Sequence, residues 1–160
     1  MCLSKADYFV DTEIVNLEGT GWKLFTINKN GKLNNKYRTS KFPLKLNKKY
    51  KAEEINVLDY RNRVYVSGFH IHCDKGEALA RLNEDEDLSF KQINHNTYFV
   101  TVLGKVRFSK VSVIGEDLGS CVVSKYMEIL ELYQIFPNWK TRKITDIKEF
   151  CNVKSTKKKK

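Results

Sequence analysis

A chain of 160 residues with 41% hydrophobic and 12% aromatic residues has the material for a real core, which excludes wholesale disorder. No apolar run approaches the ~18 residues that cross a bilayer, and acids stand in MCLSKADYFVDTE where a secretory leader is apolar, so a cytoplasmic protein with no membrane partner is expected. The net charge of +10 is unevenly spread: ten Lys and Arg and no acid lie between Gly19 and Ala52, Lys157 to Lys160 close the chain, and Glu84 to Asp87 make one compact acidic run.

Residues 1–20 carry no sustained period and read as an N-terminal arm with a short helical or extended piece. Gly21 to Ile27 alternates as a strand covered on both faces. Asn28-Lys29-Asn30-Gly31-Lys32 is a strong turn signal that leads into a hairpin partner over Leu33 to Thr39. Phe42-Pro43-Leu44 and Lys48 to Ala52 read as extended connections, because Pro43 removes a ladder donor. Ile55 to Leu58 is a candidate strand, Asp59 to Asn62 a polar turn, and Arg63 to Tyr65 leads toward Phe69-His70-Ile71-His72. Ala78, Leu79 and Leu82 stand at helical spacing in Lys75 to Asn83.

Thr97 to Leu103 is β-branched and aromatic, the best strand signal in the chain; Gly104 permits a turn or bulge into Lys105 to Phe108, and Val111 to Ile114 extends the sheet. Cys121 to Met127 is read as the start of a helix, and Glu128 to Tyr133 as its continuation into a final strand. Pro137 stops that element, and Thr145 to Asn152 reads as a last short helix. The fold class expected is α+β: a compact β-rich domain with an antiparallel or mixed sheet, a short helix after the GFHIH strand, and one or two C-terminal helices. The organisation expected is an arm over 1–20, one globular domain over 21–153, and a disordered lysine tail over 154–160.

The stretch Val66 to Leu79, VSGFHIHCDKGEAL, concentrates the chemistry: His70, His72 and Cys73 fall within four residues. On a strand His70 and His72 share a face, with Cα atoms ~7 Å apart, close enough to ligate one ion. Further ligands would have to come from His95, Cys121, Cys151 or a carboxylate, and no spacing specifies them. A nucleophilic Cys73 is the second reading, its thiolate stabilised by the helix that follows, although neither an orienting third group nor an oxyanion site is specified. The third reading explains the most residues. Asp74-Lys75-Gly76-Glu77 fits a capping box, which ends the strand at Cys73 and starts the helix at Lys75. His70 and His72 are then hydrogen-bonded, partly buried strand residues, with Phe69 and Ile71 in the core and Cys73 a candidate to join them.

The eight glycines are dispersed, so no phosphate loop is formed and no cofactor is expected. The scattered cysteines form no CxxC pair and are expected as reduced thiols. An ADP-ribosyltransferase-like enzyme, with a strand histidine and a later Glu128 or Glu131, is the leading catalytic alternative, but its central motif is not matched. Lys36, Arg38, Lys41, Lys48 and Lys49, interleaved with Trp22, Phe25, Tyr37, Phe42 and Tyr50, offer phosphate contacts and stacking faces. Lysine outweighs arginine there, which favours diffuse charge over bidentate recognition.

Four landmarks occur in order: Gly21-Trp22-Lys23-Leu24-Phe25; Phe42-Pro43-Leu44 through Lys49-Tyr50; Ser67-Gly68-Phe69-His70 followed by a helix; and Tyr98 to Val106 followed by Val123 to Leu132. Together they resemble a small, functionally uncharacterised family of phage and bacterial proteins. Its members read roughly GYKVF, Y-x-x-G-K-x-Y, GFH followed by F or H and C, and L-G-x-V, ending on an I-x-I-V-R-E-like segment. The resemblance covers about residues 21 to 133. It departs at Leu46-Asn47, where the family has Gly before Lys, and at Ile114 to Asp117, which is longer than the family's G-D-K. It implies a compact β-rich α+β domain of phage or mobile-element origin and no particular activity. The function expected is a non-enzymatic interaction protein in the host bacterial cytoplasm, acting through its basic surface on an acidic host protein, possible targets being defence or regulatory systems. Nucleic-acid binding and a small enzyme centred on His70, His72 and Cys73 are the alternatives.

Overall fold

The computed structural model describes residues 3–36, 43–82, 88, 91–94, 97–117 and 119–151. Arg38, Lys41, Tyr37, Phe42, His95, the acidic run 84–87 and the lysine tail lie outside them. The chain is β-rich, with few and short helices, and it forms two compact units. Three strands contribute residues to both: β2 (Gly19–Asn28), β9 (Thr97–Glu116) and β10 (Ser120–Phe136).

The first unit comprises Met1–Lys23, Leu46–Arg81 and Lys105–Leu130. Its centre is the β9–β10 pair, closed by a turn in which the Asp117 amide donates to the Gly119 carbonyl at 2.9 Å. β1 (Lys5–Phe9) pairs antiparallel with the end of β9, from Lys5 opposite Glu116 to Phe9 opposite Val113. The first twenty residues, expected as an arm, therefore carry a strand, and Leu3 and Ala6 are fully buried. The free edge of β10 is taken by β7 (Phe69–His72), paired from Cys121–His72 to Ser124–Phe69. Farther along comes β4 (Lys49–Lys51), paired with Tyr126 to Glu128. β2 joins at Trp22 opposite His72, where Gly21 is required: a Cβ there would lie 2.6 Å from the Ile71 methyl and 2.7 Å from the His72 carbonyl oxygen.

β5 (Asn56–Leu58) and β6 (Val64–Val66) form a separate antiparallel hairpin in this unit. Its polar turn is organised by Asp59, which is buried and accepts from the amides of Ala6, Arg61 and Arg63 and from the Arg63 guanidinium. Burial raises the Asp59 pKa, but these bonds outweigh it and hold the carboxyl down at about 2. Leu3, Ala6, Tyr65, Val113, Cys121 and Val123 pack together as a core beneath the hairpin.

The second unit comprises Leu24–Lys45, Leu82–Gly104 and Glu131–Lys160. The expected hairpin is present: the end of β2 pairs with β3 (Leu33–Asn35), Phe25 opposite Asn35 and Ile27 opposite Leu33. Asn28 holds its turn by accepting from the amides of Asn30 and Lys32, and Gly31 supplies φ 80°. β8 (Lys91–Asn94) pairs with the start of β9, and the end of β10 pairs with β11 (Lys140–Lys143) across a 3-10 turn at Pro137–Trp139. One helical turn, 147–151, falls within the expected last helix, and the Cys151 thiol donates to the Asn28 carbonyl.

Two sequence expectations change. Residues 121–133 are strand throughout, not helix running into strand. In the first unit β10 is hydrogen-bonded along both edges, and that pairing overrides a hydrophobic pattern readable with either period. The helical part of the expected α+β class accordingly shrinks to short turns around a β-rich fold. No helix among the described residues is long and apolar enough to cross a membrane.

Candidate functional site

β7 is paired with β10 along one edge and with β2 at Trp22–His72 on the other, and its side chains are buried: His70 is 7% exposed, His72 3%, and Ile71 lies wholly inside. The two imidazoles have different surroundings. His70 Nδ1 donates to the Gly68 carbonyl at 3.2 Å, which leaves Nε2 as an acceptor for the Tyr65 hydroxyl, also at 3.2 Å. That hydroxyl in turn accepts from the Leu3 amide at 2.8 Å. A single tautomer satisfies the whole chain of bonds. Burial, then the charge of Lys23, pushes the His70 pKa down to about 3, so the ring is neutral.

His72 has no hydrogen-bond partner on either ring nitrogen among the described residues. Burial first, then the positive charge of Arg81, lowers its pKa to about 4, with Asp117 acting in the opposite sense. Arg81, Asp117 and Lys23 are the charges that act on this ring. Arg81 and Asp117 form an ion pair at 2.5 Å with both side chains largely inside, and the Lys23 ammonium donates to the His70 carbonyl at 3.0 Å. Burial brings Lys23 down to about 8 and drives the enclosed Cys121 thiol up to about 12. This polar cluster escaped sequence reasoning because Lys23 comes from β2, Arg81 from the turn after residues 75–79, Asp117 from the β9–β10 turn and Cys121 from β10, with no local motif linking them.

Cys73 lies on the surface, and its expected activation is reversed. Partial burial of the sulfur and then the Glu77 carboxylate raise its pKa, which disfavours a nucleophilic thiolate. The cap is half as expected. Asp74 accepts from the Glu77 amide at 2.9 Å and starts α1 (Lys75–Leu79), but Glu77 turns to the Ser120 amide, also at 2.9 Å. Gly119, at φ 118°, makes room for that carboxylate: a Cβ would sit 2.2 Å from it.

Cys73, Cys121 and Cys151 are free thiols, and no three His, Cys, Asp or Glu side chains converge as a metal site among the described residues. The glutamates of the catalytic alternative are engaged elsewhere. Glu128 meets Arg107 at 3.3 Å in the first unit; Glu131 meets Lys143 and the Tyr133 hydroxyl, each at 2.8 Å, in the second.

Of the basic candidates, Lys36 belongs to the second unit, where its ammonium donates to the Thr101 hydroxyl at 2.9 Å. Lys48 and Lys49 are exposed in the first unit, together with Lys51, which the sequence reading had not singled out. Pairing of β4 with β10 places Lys49 4.7 Å above the Tyr126 ring, and Lys48 stands 5.4 Å above Tyr50. Comparison with family models, with curated proteins and with solved structures returns no match.

Proposed function

We propose that this chain is a non-enzymatic binding protein of phage or mobile-element origin that engages an acidic host protein in the bacterial cytoplasm through the basic strand β4. The observation that carries the reading is the pair of ammonium groups, Lys48 and Lys49, held over Tyr50 and Tyr126, with Lys51 exposed beside them. Cation–π contact and strand pairing restrict these lysines before a partner arrives, reducing the entropy lost on binding. The same contacts place ammonium groups over the tyrosine rings that stacked bases would use, which favours carboxylates of a protein over single-stranded nucleic acid. On the chemical side, His70 has both ring nitrogens engaged and Cys73 is held away from its thiolate.

The test is a pull-down from bacterial lysate with and without nuclease, using the native chain and a variant carrying Lys48→Glu, Lys49→Glu and Lys51→Glu. A protein partner is expected to survive nuclease, to weaken with added salt, and to be lost at least ~10-fold by the variant. Retention by the variant with an unchanged salt response sinks the basic-strand reading. Recovery that disappears with nuclease transfers it to nucleic acid.

A further inference from the structure

Opposite in chemistry to β4 is a groove of about 300 Å³ in the first unit, with Phe9, Val66 and Val113 among its apolar lining and Asp11, Glu13 and Glu54 among its polar lining. Among the described residues that line it, Lys125 is the one cation, and Glu54 holds it at 3.1 Å. Among the described lining residues three carboxylates stand against one ammonium, in a chain whose total is +10.

The wall of the groove is built in place. The Val10 amide donates to the Ser112 carbonyl, and the Asp11 side chain accepts from the Glu13 amide. Lys110, at φ 56° within β9, donates its amide to the Asn16 side chain and its ammonium to the Thr12 carbonyl. A non-glycine residue in the left-handed region inside a strand is uncommon and needs support from its surroundings. Here that support comes from the segment that forms the wall.

The apolar surface continues beyond the groove. Alternation along β6 turns Tyr65 into the core and leaves Val64 and Val66 outward, 57% and 38% exposed, with Leu58 directly across from Val64 at 50%. Val66 belongs both to this face and to the groove, and Phe9 on the other side is 58% exposed. Contiguous exposed apolar side chains around a preformed groove are a recurring mark of an interaction site.

We propose that this groove and the outer face of the β5–β6 hairpin bind a short peptide segment of a partner protein in which apolar residues are flanked by Lys or Arg. The apolar residues pack on Phe9 and Val66, and the flanking cations meet Asp11 and Glu13. Charge selects this occupant. Carboxylates repel the phosphates of nucleic acid and of anionic lipid and attract cationic side chains. The site is separate in chemistry from the basic strand and gives the protein a second, oppositely charged docking surface.

The experiment presents a random heptapeptide display library to the full chain, with counter-selection on Val66→Lys. Peptides pairing two apolar residues with Lys or Arg are expected to enrich at least ~10-fold. A synthetic copy of a selected peptide should then bind ~10-fold more weakly to Val66→Lys and several-fold more weakly to Glu13→Lys, with a shallower salt dependence in the latter. Thermal unfolding of each variant controls for folding. Val66→Thr, which keeps the shape and removes apolar surface, is expected to weaken binding several-fold if Val66→Lys does not fold. Enrichment of acidic peptides, no enrichment, or equal binding by all variants overturns the proposal. Self-association of the native chain that Val66→Lys abolishes also overturns it, and assigns the face to a second copy.

Discussion

β6 and β7 are consecutive short strands of one unit, separated by Ser67 and Gly68, and they reverse the usual distribution of residues. β6 turns two valines to solvent, whereas β7 encloses two histidines. The difference lies in what stands beside each strand. β7 is an inner strand between β2 and β10, and both of its faces are covered, His70 and His72 on one and Ile71 on the other, so its polar atoms need internal partners. β6 has β5 as its strand partner in a two-stranded sheet, so only the Tyr65 side faces the core. Tyr65 links the strands: it is the inward residue of the exposed strand and the hydrogen-bond donor to the first histidine of the enclosed one.

Acid should break this contrast most strongly. The unfolded chain protonates both imidazoles near their ordinary value of about 6.5, while the folded chain does so only near 3 and 4. Between those values the folded state binds fewer protons, so the stability due to neutral His70 and His72 is complete above pH 6.5 and is lost as pH falls. A loss on the order of 6 kcal/mol between pH 7 and pH 4 is expected in urea unfolding followed by tryptophan fluorescence. A flat profile over that range would mean that the imidazoles are accessible to protons in the native state.

Tyr65→Phe attacks the link between the strands. It leaves His70 Nε2 without its donor and the Leu3 amide without its acceptor, both inside the protein, at a cost of about 3 kcal/mol. The same unfolding assay measures it, and a cost below about 1 kcal/mol would show that the hydroxyl adds nothing beyond its ring. The smallest expected effect separates the two histidines. His72→Leu removes a ring whose nitrogens have no hydrogen-bond partner among the described residues, so it should change stability by less than about 1 kcal/mol and remove part of the acid loss. A penalty as large as that of Tyr65→Phe would mean that the His72 ring is bonded in solution.

Local signals were legible where the residues that define an element are neighbours in the chain. Asn28 to Lys32 announced the β2–β3 turn, Asp59 to Asn62 announced the β5–β6 turn, and Asp74 marked the start of α1. The second half of the cap failed because Glu77 found the Ser120 amide, a partner 43 residues away. The helix expected over Cys121 to Met127 failed for a related reason: β9 covers one edge of β10, and β7 and β4, from distant parts of the chain, cover the other and decide its conformation. The candidate site was legible as a stretch, in that His70 and His72 belong to one strand before a capped helix. Its chemistry was not, since Tyr65 and Leu3 partner one ring and Lys23, Arg81 and Asp117 surround the other.

By itself the amino-acid sequence determined the turns, a strand running up to the helix cap, the Asp74 half of that cap and the uneven charge, because each depends on backbone preference or composition over a few residues. Tertiary structure alone decided that one histidine is bonded while its neighbour has no partner among the described residues, that Cys73 is held from its thiolate, and that Val66 of β6 meets an acidic groove. Those outcomes depend on distance and dielectric between groups brought together from separate segments, quantities that the order of residues along the chain does not contain.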